Sequence, residues 1–308
     1  MLLSVVLVNW NSRDDLVACL ESLRAQTHRE LEVVVVDNGS EDGSAAMVRE
    51  RFPEVTLIDA GENLGFAEGC NRGIAACTGP WVALLNNDAV ADDDWAAELV
   101  AAAEAAPAAC GMLQSLMVFY DRPDTINSTG IELLTNGRGR DRHEGRPRPE
   151  GERAAEPIFC PTGGAAAYRR TMLDAIRLPS GWLDRTYFCY FEDLDLGWRA
   201  RLAGWDALYV PRSRVRHRYH ASTSRRSRAW MVRVTRLNRM RTLAKNASPA
   251  MALRSLPTTL GALAELAWYG GLLDVPGALR SALAERDSVR AIARRERREV
   301  EAAWLARP

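Results

Sequence analysis

The stretch that most constrains the fold is residues 81–88, WVALLNND, in which five apolar residues end abruptly in two amides and a carboxylate. A short apolar run bounded by turn-forming residues is typical of a strand buried on both faces. In an open α/β sheet, ligands bind just beyond the carboxyl ends of such strands. Asn86, Asn87 and Asp88 therefore either form a turn before the next helix or place hard oxygen ligands around a divalent cation.

The same alternation of apolar strands and helices runs through the first half of the chain. Apolar segments predict strands over 2–8, 31–36, 55–58 and 81–85, and segments with helical spacing of apolar residues separate them. This order predicts an α/β fold with a mainly parallel central sheet and helices on both faces.

The second half is less regular. Residues 121–157 are rich in Arg, Gly, Pro and Glu, which predicts a long mobile loop rather than core. A helix is expected after 192, with Leu194, Trp198 and Leu202 on its buried face. A late strand over 206–210 and a segment through Val215 then lead to a histidine at 217.

Polar residues follow several of the predicted strands: Asn9, Asn11, Asp37, Asn63 and Asp88. Because parallel strands end at one edge of the sheet, these side chains should gather there. Such an edge suits a nucleoside diphosphate, with Asp37 accepting a hydrogen bond from a base N–H and a cation near Asp88 neutralising the phosphates. No G-x-x-x-x-G-K-[ST] motif occurs and no G-x-G-x-x-G follows the first strand, so a P-loop ATPase and a dinucleotide-binding domain are disfavoured.

Composition narrows the class of protein further. The chain has 40 Lys and Arg against 40 Asp and Glu, so it has no net positive charge that would attract nucleic acid. Its six cysteines form no C-x-x-C pair, which argues against a zinc ribbon or a redox motif. The first predicted strand begins at residue 2 and leaves no room for a signal peptide, so a cytoplasmic location is expected.

Six motifs in this order resemble family 2 glycosyltransferases of the GT-A fold, and bacterial rhamnosyltransferases in particular. They lie between about residues 3 and 246 and are VLVNWNS (6–12), VVDNGS (35–40), ENLGF (62–66), LLNND (84–88), TGGA (162–165) and YFEDLDL (190–196). The resemblance implies a catalytic domain over 1–246, with a nucleotide-binding half to about 118 and an acceptor-binding half over 119–246. Residues 247–308 would form a helical C-terminal extension.

The resemblance also implies roles for individual residues. Asp193 would be the catalytic base of an inverting displacement, taking a proton from the acceptor hydroxyl as it attacks the anomeric carbon. Asp37 would bind the nucleotide base, and Asp88, the retained carboxylate of the family's D-x-D motif, would ligate Mg²⁺ or Mn²⁺. The implied nucleotide-sugar site comprises Asn9, Asn11, Asp37, Asn63, Asn87, Asp88, Gly163 and Gly164.

The metal site departs from the family pattern, because Asn86 stands where the first aspartate of D-x-D would be. The metal would then depend on Asp88, the donor diphosphate, water and His217, which follows the last strand, where related enzymes place a histidine ligand. Imidazole beside one carboxylate is a reasonable ligand set for Mn²⁺. The alternative is that His217, like His220, is a surface residue of an arginine-rich segment.

The acidic cluster at 192–195 also has two interpretations. Its carboxylates could simply stabilise the start of a helix. If Asp193 instead points into the active site, Asp195 cannot share that face, because the side chains of residues two positions apart on a helix point in directions that differ by about 200°. Asp195 would then need a structural partner such as an arginine.

Two C-terminal features suggest partners. Residues 225–246 carry seven arginines and an apolar stripe, which predicts an amphipathic helix with a solvated basic face, a diphosphate contact or an anionic-membrane contact. The apolar stretch 260–273 is too short to span a bilayer, so the tail either packs on the domain or makes peripheral membrane contact.

The overall expectation is a metal-dependent inverting glycosyltransferase that uses a dTDP- or UDP-sugar, with dTDP-L-rhamnose as the implied donor and a cell-envelope glycan or polyprenyl-linked acceptor. Two alternatives remain open. A sugar-phosphate nucleotidylyltransferase would usually carry an N-terminal glycine-rich loop, and a non-catalytic glycan-assembly subunit would be expected to lack Asp88, Asp193 and His217.

Overall fold

The computed structural model describes residues 1–149, 151, 154–218 and 226–306. The strands in these ranges are β1 (Leu3–Asn9), β2 (Leu31–Asp37), β3 (Thr56–Asp59), β4 (Trp81–Leu85), β5 (Ala89–Ala91), β6 (Cys110–Phe119), β7 (Arg122–Ser128), β8 (Ile131–Leu134), β9 (Gly139–Asp141), β10 (Glu156–Pro157), β11 (Ala165–Arg169), β12 (Asp206–His217) and β13 (Leu305–Ala306). The helices are α1 (Arg13–Arg24), α2 (Ser44–Arg51), α3 (Gly65–Ala76), α4 (Trp95–Ala105), α5 (Arg170–Ala175), α6 (Glu192–Leu202), α7 (Arg228–Asn246), α8 (Pro249–Arg254), α9 (Leu256–Trp268), α10 (Val275–Ile292) and α11 (Arg297–Trp304).

The central sheet has the strand order β10-β12-β6-β11-β4-β1-β2-β3. The first four strands of the chain pair in parallel, as predicted, and each is reached through a helix. Beyond β4 the sheet is mixed, because β11 runs antiparallel between β4 and β6 while β12 is parallel to β6. An α/β fold with a central sheet and helices on both faces is therefore confirmed.

Successive residues of the buried strands feed two separate cores. In β1, Val6 packs with α3, whereas Val5 and Leu7 pack with α1, α2 and α4 on the opposite face. This follows from the two-residue period of a strand, which sends neighbouring side chains to opposite faces. A strand covered on both sides needs a continuous apolar run, and that is why these segments were recognisable in the sequence.

The prediction of a long mobile loop over 121–157 is wrong for most of that segment. Strand β7 pairs with β6, and β8 and β9 form a small second sheet that β13 joins from the C-terminal end. Ile126 and Leu133 are 2% and 0% exposed. Charged residues on the outer face and several Gly and Pro masked the short apolar alternation, although β6 and β7, and likewise β8 and β9, are consecutive strands of the chain. Of these pairings, only that of β8 with β13 joins segments that lie far apart in sequence.

The helices after residue 247 pack against the rest of the chain. Helix α10 lies along α7, α11 contacts α6, and Val289 and Val300 are part of the larger core. Arg286 on α10 donates to the carbonyl oxygens of Ala244 and Ala247 at the end of α7. Of the two interpretations offered for the tail, packing on the domain is thus observed. Within the described residues, no helix combines the length and apolarity needed to cross a membrane.

Candidate active site

The polar ends of the parallel strands meet at one edge of the sheet, as the sequence predicts. Asn9 at the end of β1 is directly opposite Asp37 at the end of β2, and its side-chain amide donates to Asp37 Oδ1 at 3.0 Å. The amide of Asn87, just after β4, donates to Asn9 Oδ1 at 2.7 Å. A chain of hydrogen bonds between side chains therefore ties three strand ends together.

Asp37 is held within this edge rather than at its surface. Its Oδ2 accepts from the backbone N–H of Ser40 at 2.9 Å, and the Ser40 hydroxyl in turn accepts from the backbone N–H of Asn11 at 2.9 Å. Asp37 is 2% exposed and Asn9 is fully buried. Asn11 adopts a left-handed backbone with φ 51°, which asparagine tolerates better than most residues. These contacts fix the loops around the predicted nucleoside pocket.

A cleft of about 600 Å³ opens beside this edge. Most of the predicted site residues line it, namely Asn63, Asn87, Asp88, Gly163, Gly164, Asp193 and His217. Asn9, Asn11 and Asp37 are not among the described residues of its walls. They lie behind it and reach it through neighbours such as Asn87, so any contact of these three with a ligand stays a prediction.

Asp88 and His217 form a buried pair at one end of the cleft. Asp88 Oδ1 lies 3.1 Å from His217 Nε2, and the two side chains are 7% and 8% exposed. The last residues of β12 pair with β5, His217 directly opposite Ala89, and this pairing brings the two side chains together. His220, the other histidine considered for this region, lies outside the described residues.

The ring of His217 is oriented from behind by Asn127. His217 Nδ1 lies 2.8 Å from the side-chain amide of Asn127. On the other side of the ring, Nε2 faces Asp88 and the amide of Asn86, whose Nδ2 is 3.1 Å away. A side-chain amide behind the imidazole therefore fixes the orientation of the ring toward Asp88. The sequence could not reveal Asn127, because it lies in the segment predicted as a loop.

Asp193 lies across the cleft at the first turn of α6. Its Oδ2 accepts from the backbone N–H of Gly163 at 3.0 Å and the hydroxyl of Thr162 at 3.3 Å, and its Oδ1 accepts from the backbone N–H of Leu194 at 2.7 Å. Burial raises the pKa of Asp193 above its ordinary value, and the hydrogen bonds from Gly163 and Leu194 oppose that rise. The carboxylate is therefore both positioned and made more basic.

The two glycines before β11 permit close packing around the cleft. A Cβ on Gly164 would lie 2.7 Å from Met117 Cε, and one on Gly163 would lie 3.3 Å from the ring of Phe66. Gly164 also accepts a backbone hydrogen bond from Asn86 at 2.9 Å. A side chain at Gly164 would require Met117 to move, and one at Gly163 would require a small shift of the Phe66 ring.

Asp195 points away from the cleft, and the prediction of a structural partner for it is confirmed. It is fully buried and forms an ion pair with Arg199 at 3.0 Å. Lys245 on α7 lies 3.3 Å from it, and the amide of Asn246 donates to it at 2.7 Å. Asp193 and Asp195 are two residues apart on α6. Asp193 faces the cleft, and Asp195 joins α6 to α7.

Comparison with known proteins gives this site its context. The model of Glycosyl transferase family 2 matches residues 4–177, which is more than half of the chain. The chain belongs to this family. The N-acetylglucosaminyl-diphospho-decaprenol L-rhamnosyltransferase of Mycobacterium tuberculosis (strain CDC 1551 / Oshkosh) is 30% identical to it over 253 residues, covering 72% of this chain and 78% of that protein. The predictions of a glycosyltransferase and of its family are thus confirmed.

Solved structures support the fold. The mannosyltransferase PcManGT from Pyrobaculum calidifontis, in complex with GDP-Man and Mn²⁺, aligns over 98% of this chain and 87% of its own, with a TM-score of 0.52 and 21% identity. TarS of S. aureus in complex with UDP-GlcNAc aligns over 95% and 84%, with a TM-score of 0.51 and 20% identity. The fold is that of GT-A glycosyltransferases.

The loop that precedes α6 and Asp193 in this glycosyltransferase has a strained backbone and is held in place by α7. Phe188, Tyr190 and Phe191 all have positive φ angles of 63–73°, a conformation that costs of order 1–3 kcal/mol per residue outside glycine. The buried amide of Asn238 on α7 donates to the carbonyl oxygens of residues 187, 189 and 190 at 2.8–2.9 Å. Arg241 fixes that amide by donating to its Oδ1 at 2.7 Å.

Other cleft residues of the glycosyltransferase were missed by sequence reasoning. Asp141 on β9 lines the cleft, and burial raises its pKa to about 6. At the rim, the guanidinium of Arg226 lies 4.3 Å from the ring centroid of Trp10 and 5.0 Å from that of Trp230. Among the described residues, the remaining arginines of the walls are Arg138 and Arg140. Asp141, Arg138 and Arg140 stand in no recognisable motif, so only the tertiary arrangement identifies them, whereas Trp10 lies in the motif over 6–12 and Arg226 in the basic segment 225–246.

Proposed function

We propose that this protein is an inverting, divalent-cation-dependent glycosyltransferase that transfers L-rhamnose from dTDP-L-rhamnose to a lipid-linked cell-envelope glycan. The observation that carries the proposal is the placement of Asp193 and of the Asp88–His217 pair in the walls of one cleft. That cleft opens at the carboxyl ends of the parallel strands, where open α/β sheets bind their ligands.

The Asp88–His217 pair fits a divalent cation. Asp88 Oδ1 and His217 Nε2 are 3.1 Å apart, so both atoms could ligate one cation. No group of three or more His, Cys, Asp and Glu in the described residues could hold a metal, so the diphosphate and water would complete the coordination. Asp88 and His217 would hold Mg²⁺ or Mn²⁺, and its positive charge would stabilise the leaving nucleoside diphosphate.

Asp193 is proposed as the general base. Its carboxylate removes the proton from an acceptor hydroxyl while that oxygen attacks the anomeric carbon from the side opposite the nucleoside diphosphate. The new glycosidic bond forms as the bond to the diphosphate breaks, and the anomeric configuration inverts. The raised pKa of Asp193 helps this step, because general bases are most effective when their pKa approaches the working pH.

The proposed donor and acceptor follow from the similar proteins. The Mycobacterium tuberculosis relative is an L-rhamnosyltransferase, and its name specifies a diphospho-decaprenol acceptor. The two similar structures hold GDP-Man with Mn²⁺ and UDP-GlcNAc. Within the proposal, Asp37, Asn9, Asn11 and Asn63 bind or shape the nucleoside side of the donor, and Asn87, Gly163 and Gly164 bind the diphosphate and sugar side.

The test is a panel of dTDP-, UDP- and GDP-sugars incubated with purified protein, with and without Mg²⁺, Mn²⁺ or EDTA. Release of nucleoside diphosphate should be greatest with dTDP-L-rhamnose and should stop in EDTA. Asp88→Asn and His217→Ala should each lower metal-dependent turnover about 100-fold, because each removes one of two protein ligands. His28→Ala, which changes a histidine hydrogen-bonded to the carbonyl of Met1, serves as the matched control and should retain activity.

Each part of the proposal has its own contrary outcome. Full turnover in EDTA, or undiminished turnover of Asp88→Asn, would contradict the metal site. Preference for another sugar would leave the enzyme class intact and replace only the donor. Retention of configuration, measured by NMR of the product linkage, would contradict direct displacement by the acceptor.

A further inference from the structure

The exposed apolar residues of this protein are concentrated in one region. Seven large apolar side chains are exposed in the described residues, and all of them lie between 253 and 283: Leu253, Leu256, Leu260, Trp268, Leu272, Leu273 and Leu283. Trp268 is 84% exposed and Leu273 is 92% exposed. Scattered apolar residues on a surface need no explanation, but such a concentration marks a surface that binds something.

The exposed face of α9 is apolar, and the one acidic side chain at its border, Glu265, is 45% exposed and paired with Arg236. The exposed residues of α9 are Leu256, Pro257, Leu260, Gly261, Ala264, Ala267 and Trp268. At about 100° per residue these positions cover an arc of about 140°. The other side of the helix is used for packing, since Ala262 and Leu266 are buried against α7 and α10. A surface helix of a soluble protein normally shows the reverse pattern, with polar residues outside.

The apolar face is bordered by positive charge. Residues 228–284 contain eight Lys and Arg against two Asp and Glu, although the whole chain is neutral. Two of these cations, Arg239 and Lys245, are buried, which leaves six arginines for the surface. Both acidic groups are paired with arginines of α7, Glu265 with Arg236 and Asp274 with Arg233. Arg228, Arg254 and Arg280 add further exposed positive charge. A binding partner for this surface should therefore be apolar with a negatively charged rim.

This surface adjoins the active-site cleft. The turn after α9 packs against α7, because a Cβ on Gly271 would lie 2.8 Å from Arg233 Cγ. Trp230 and Thr235, on either side of Arg233 in α7, line the cleft. Helix α7 thus has the apolar region along one side and the cleft along another, within one rigid element.

We propose that the exposed face of α9, together with Leu253, Leu272 and Leu273, docks onto the surface of a bilayer that contains anionic lipid. Apolar side chains with tryptophan on one face and arginines at its borders are the features of helices that lie in a membrane interface. A second copy fits less well, because it would bring two basic regions together. A folded protein partner fits less well too, because protein–protein interfaces carry about one hydrogen bond per 100–200 Å². The exposed face of α9 offers no side chains to form them.

This inference depends on the proposed function only for the biological reason for docking: a cleft held at the bilayer surface would be close to a lipid-linked acceptor. Docking itself needs no donor, cation or acceptor. It is therefore measured on the full-length protein by flotation with vesicles of equal parts phosphatidylcholine and phosphatidylglycerol, and with vesicles of phosphatidylcholine alone. Donor turnover is measured separately in solution.

The decisive variant is Trp268→Glu combined with Leu273→Glu, which changes two exposed side chains. We expect the wild-type protein to float with the anionic vesicles and this variant to bind at least about tenfold more weakly, because it loses two buried apolar groups. Donor turnover in solution should stay unchanged. Ala101→Glu with Ala105→Glu, on the exposed face of α4, adds the same charge elsewhere and should bind like the wild type.

Three outcomes would overturn the inference. One is a folded wild-type protein that floats with neither kind of vesicle. Another is equal binding by the wild type and the Trp268→Glu, Leu273→Glu variant. The third is a wild-type dimer, detected by sedimentation, that this variant dissociates while vesicle binding is unchanged. Failure of the donor assay with normal flotation would contradict the proposed function and leave the docking surface intact.

Discussion

Exposed and buried ion pairs are distributed unevenly between the two halves of this glycosyltransferase. Around β1–β4, ion pairs such as Arg24–Glu54 lie at the surface, with side chains that are 44% and 53% exposed. The second half also has surface pairs such as Arg233–Asp274, but in addition Arg199, Lys245 and Asp195 are completely buried in one network between α6 and α7. Apolar cores hold both halves, and the second half adds buried charges that stabilise the fold only when all partners are present.

Within the motif YFEDLDL (190–196), the two aspartates differ in the same way: one faces the cleft and the other is part of the buried charge network. Asp193 faces the cleft, where burial raises its pKa, whereas Asp195 is paired with cations. Asp184 extends this network. Burial alone would raise its pKa, but the charge and hydrogen bond of Lys245, together with the hydrogen bonds from Thr186, lower the pKa to about 2. Neighbouring carboxylates therefore differ in role because different elements surround them.

The largest expected effect is that of Asp193→Asn. Turnover should fall by about two to four powers of ten, because a general base contributes that much, while the unfolding temperature stays near that of the wild type. Asp195→Asn should do the reverse and lower stability first, because it leaves Arg199 and Lys245 without a carboxylate. Steady-state turnover and thermal unfolding of both variants check this. Similar behaviour of the two would break the distinction.

The next effect sharpens the contrast between buried and exposed pairs. Lys245→Met should lower the free energy of unfolding by about 3–5 kcal/mol, because it leaves buried carboxylates uncompensated. Arg24→Met should change it by no more than about 1 kcal/mol, because its pair with Glu54 is solvated. Urea unfolding of the two variants measures the difference. Equal losses would show that the two halves are stabilised alike.

A smaller effect is expected from replacing Asn238, which holds the loop that precedes Asp193. Asn238→Asp removes the donors to three backbone carbonyls without changing the side-chain volume. We expect kcat to fall about 10–100-fold through misplacement of Asp193, with little change in KM for the donor. Asn136→Asp is the control, because that side chain only accepts a hydrogen bond from Arg138 N–H. A change confined to KM would contradict a positioning role.

The smallest effect concerns Asp141. Its pKa of about 6 in the folded protein, against an ordinary 3.8, means that the native state holds the proton more tightly than the unfolded state. Ionised Asp141 therefore costs stability above pH 6, and Asp141→Asn should be more stable than the wild type by about 2 kcal/mol at pH 8. The difference should shrink between about pH 6 and pH 4. Urea unfolding at pH 8 and pH 4.5, without cation or donor, checks this.

The matched control for that titration is Asp124→Asn on β7, since the Asp124 side chain is 92% exposed. It should change stability little at either pH. A gain at pH 8 that persists undiminished at pH 4.5 would show that Asp141→Asn acts through packing and not through the charge.

Sequence patterns predicted the parts of the fold that depend on neighbours in the chain. The apolar runs of β1, β2 and β4 marked buried strands, and the polar residues after them marked the edge where the cleft opens. The opposite directions of Asp193 and Asp195 followed from helical geometry alone. The strands within 121–157 were not predicted, although β7 pairs with the preceding β6 and β8 with the following β9, because Arg, Gly and Pro interrupt their apolar alternation. The pairing of β8 with β13 could not be predicted, because those two segments lie far apart in the chain.

What the sequence by itself determined is therefore the α/β order, the family motifs and the carboxylates proposed to act in catalysis, since each is encoded within a few consecutive residues. Only the tertiary structure decided that Asn127 orients His217, that Asn238 clamps the loop before Asp193, and that the exposed face of α9 is apolar. These features depend on long-range packing. A side chain's burial, partner and pKa are set by whichever distant element covers it, and local periodicity carries no information about that choice.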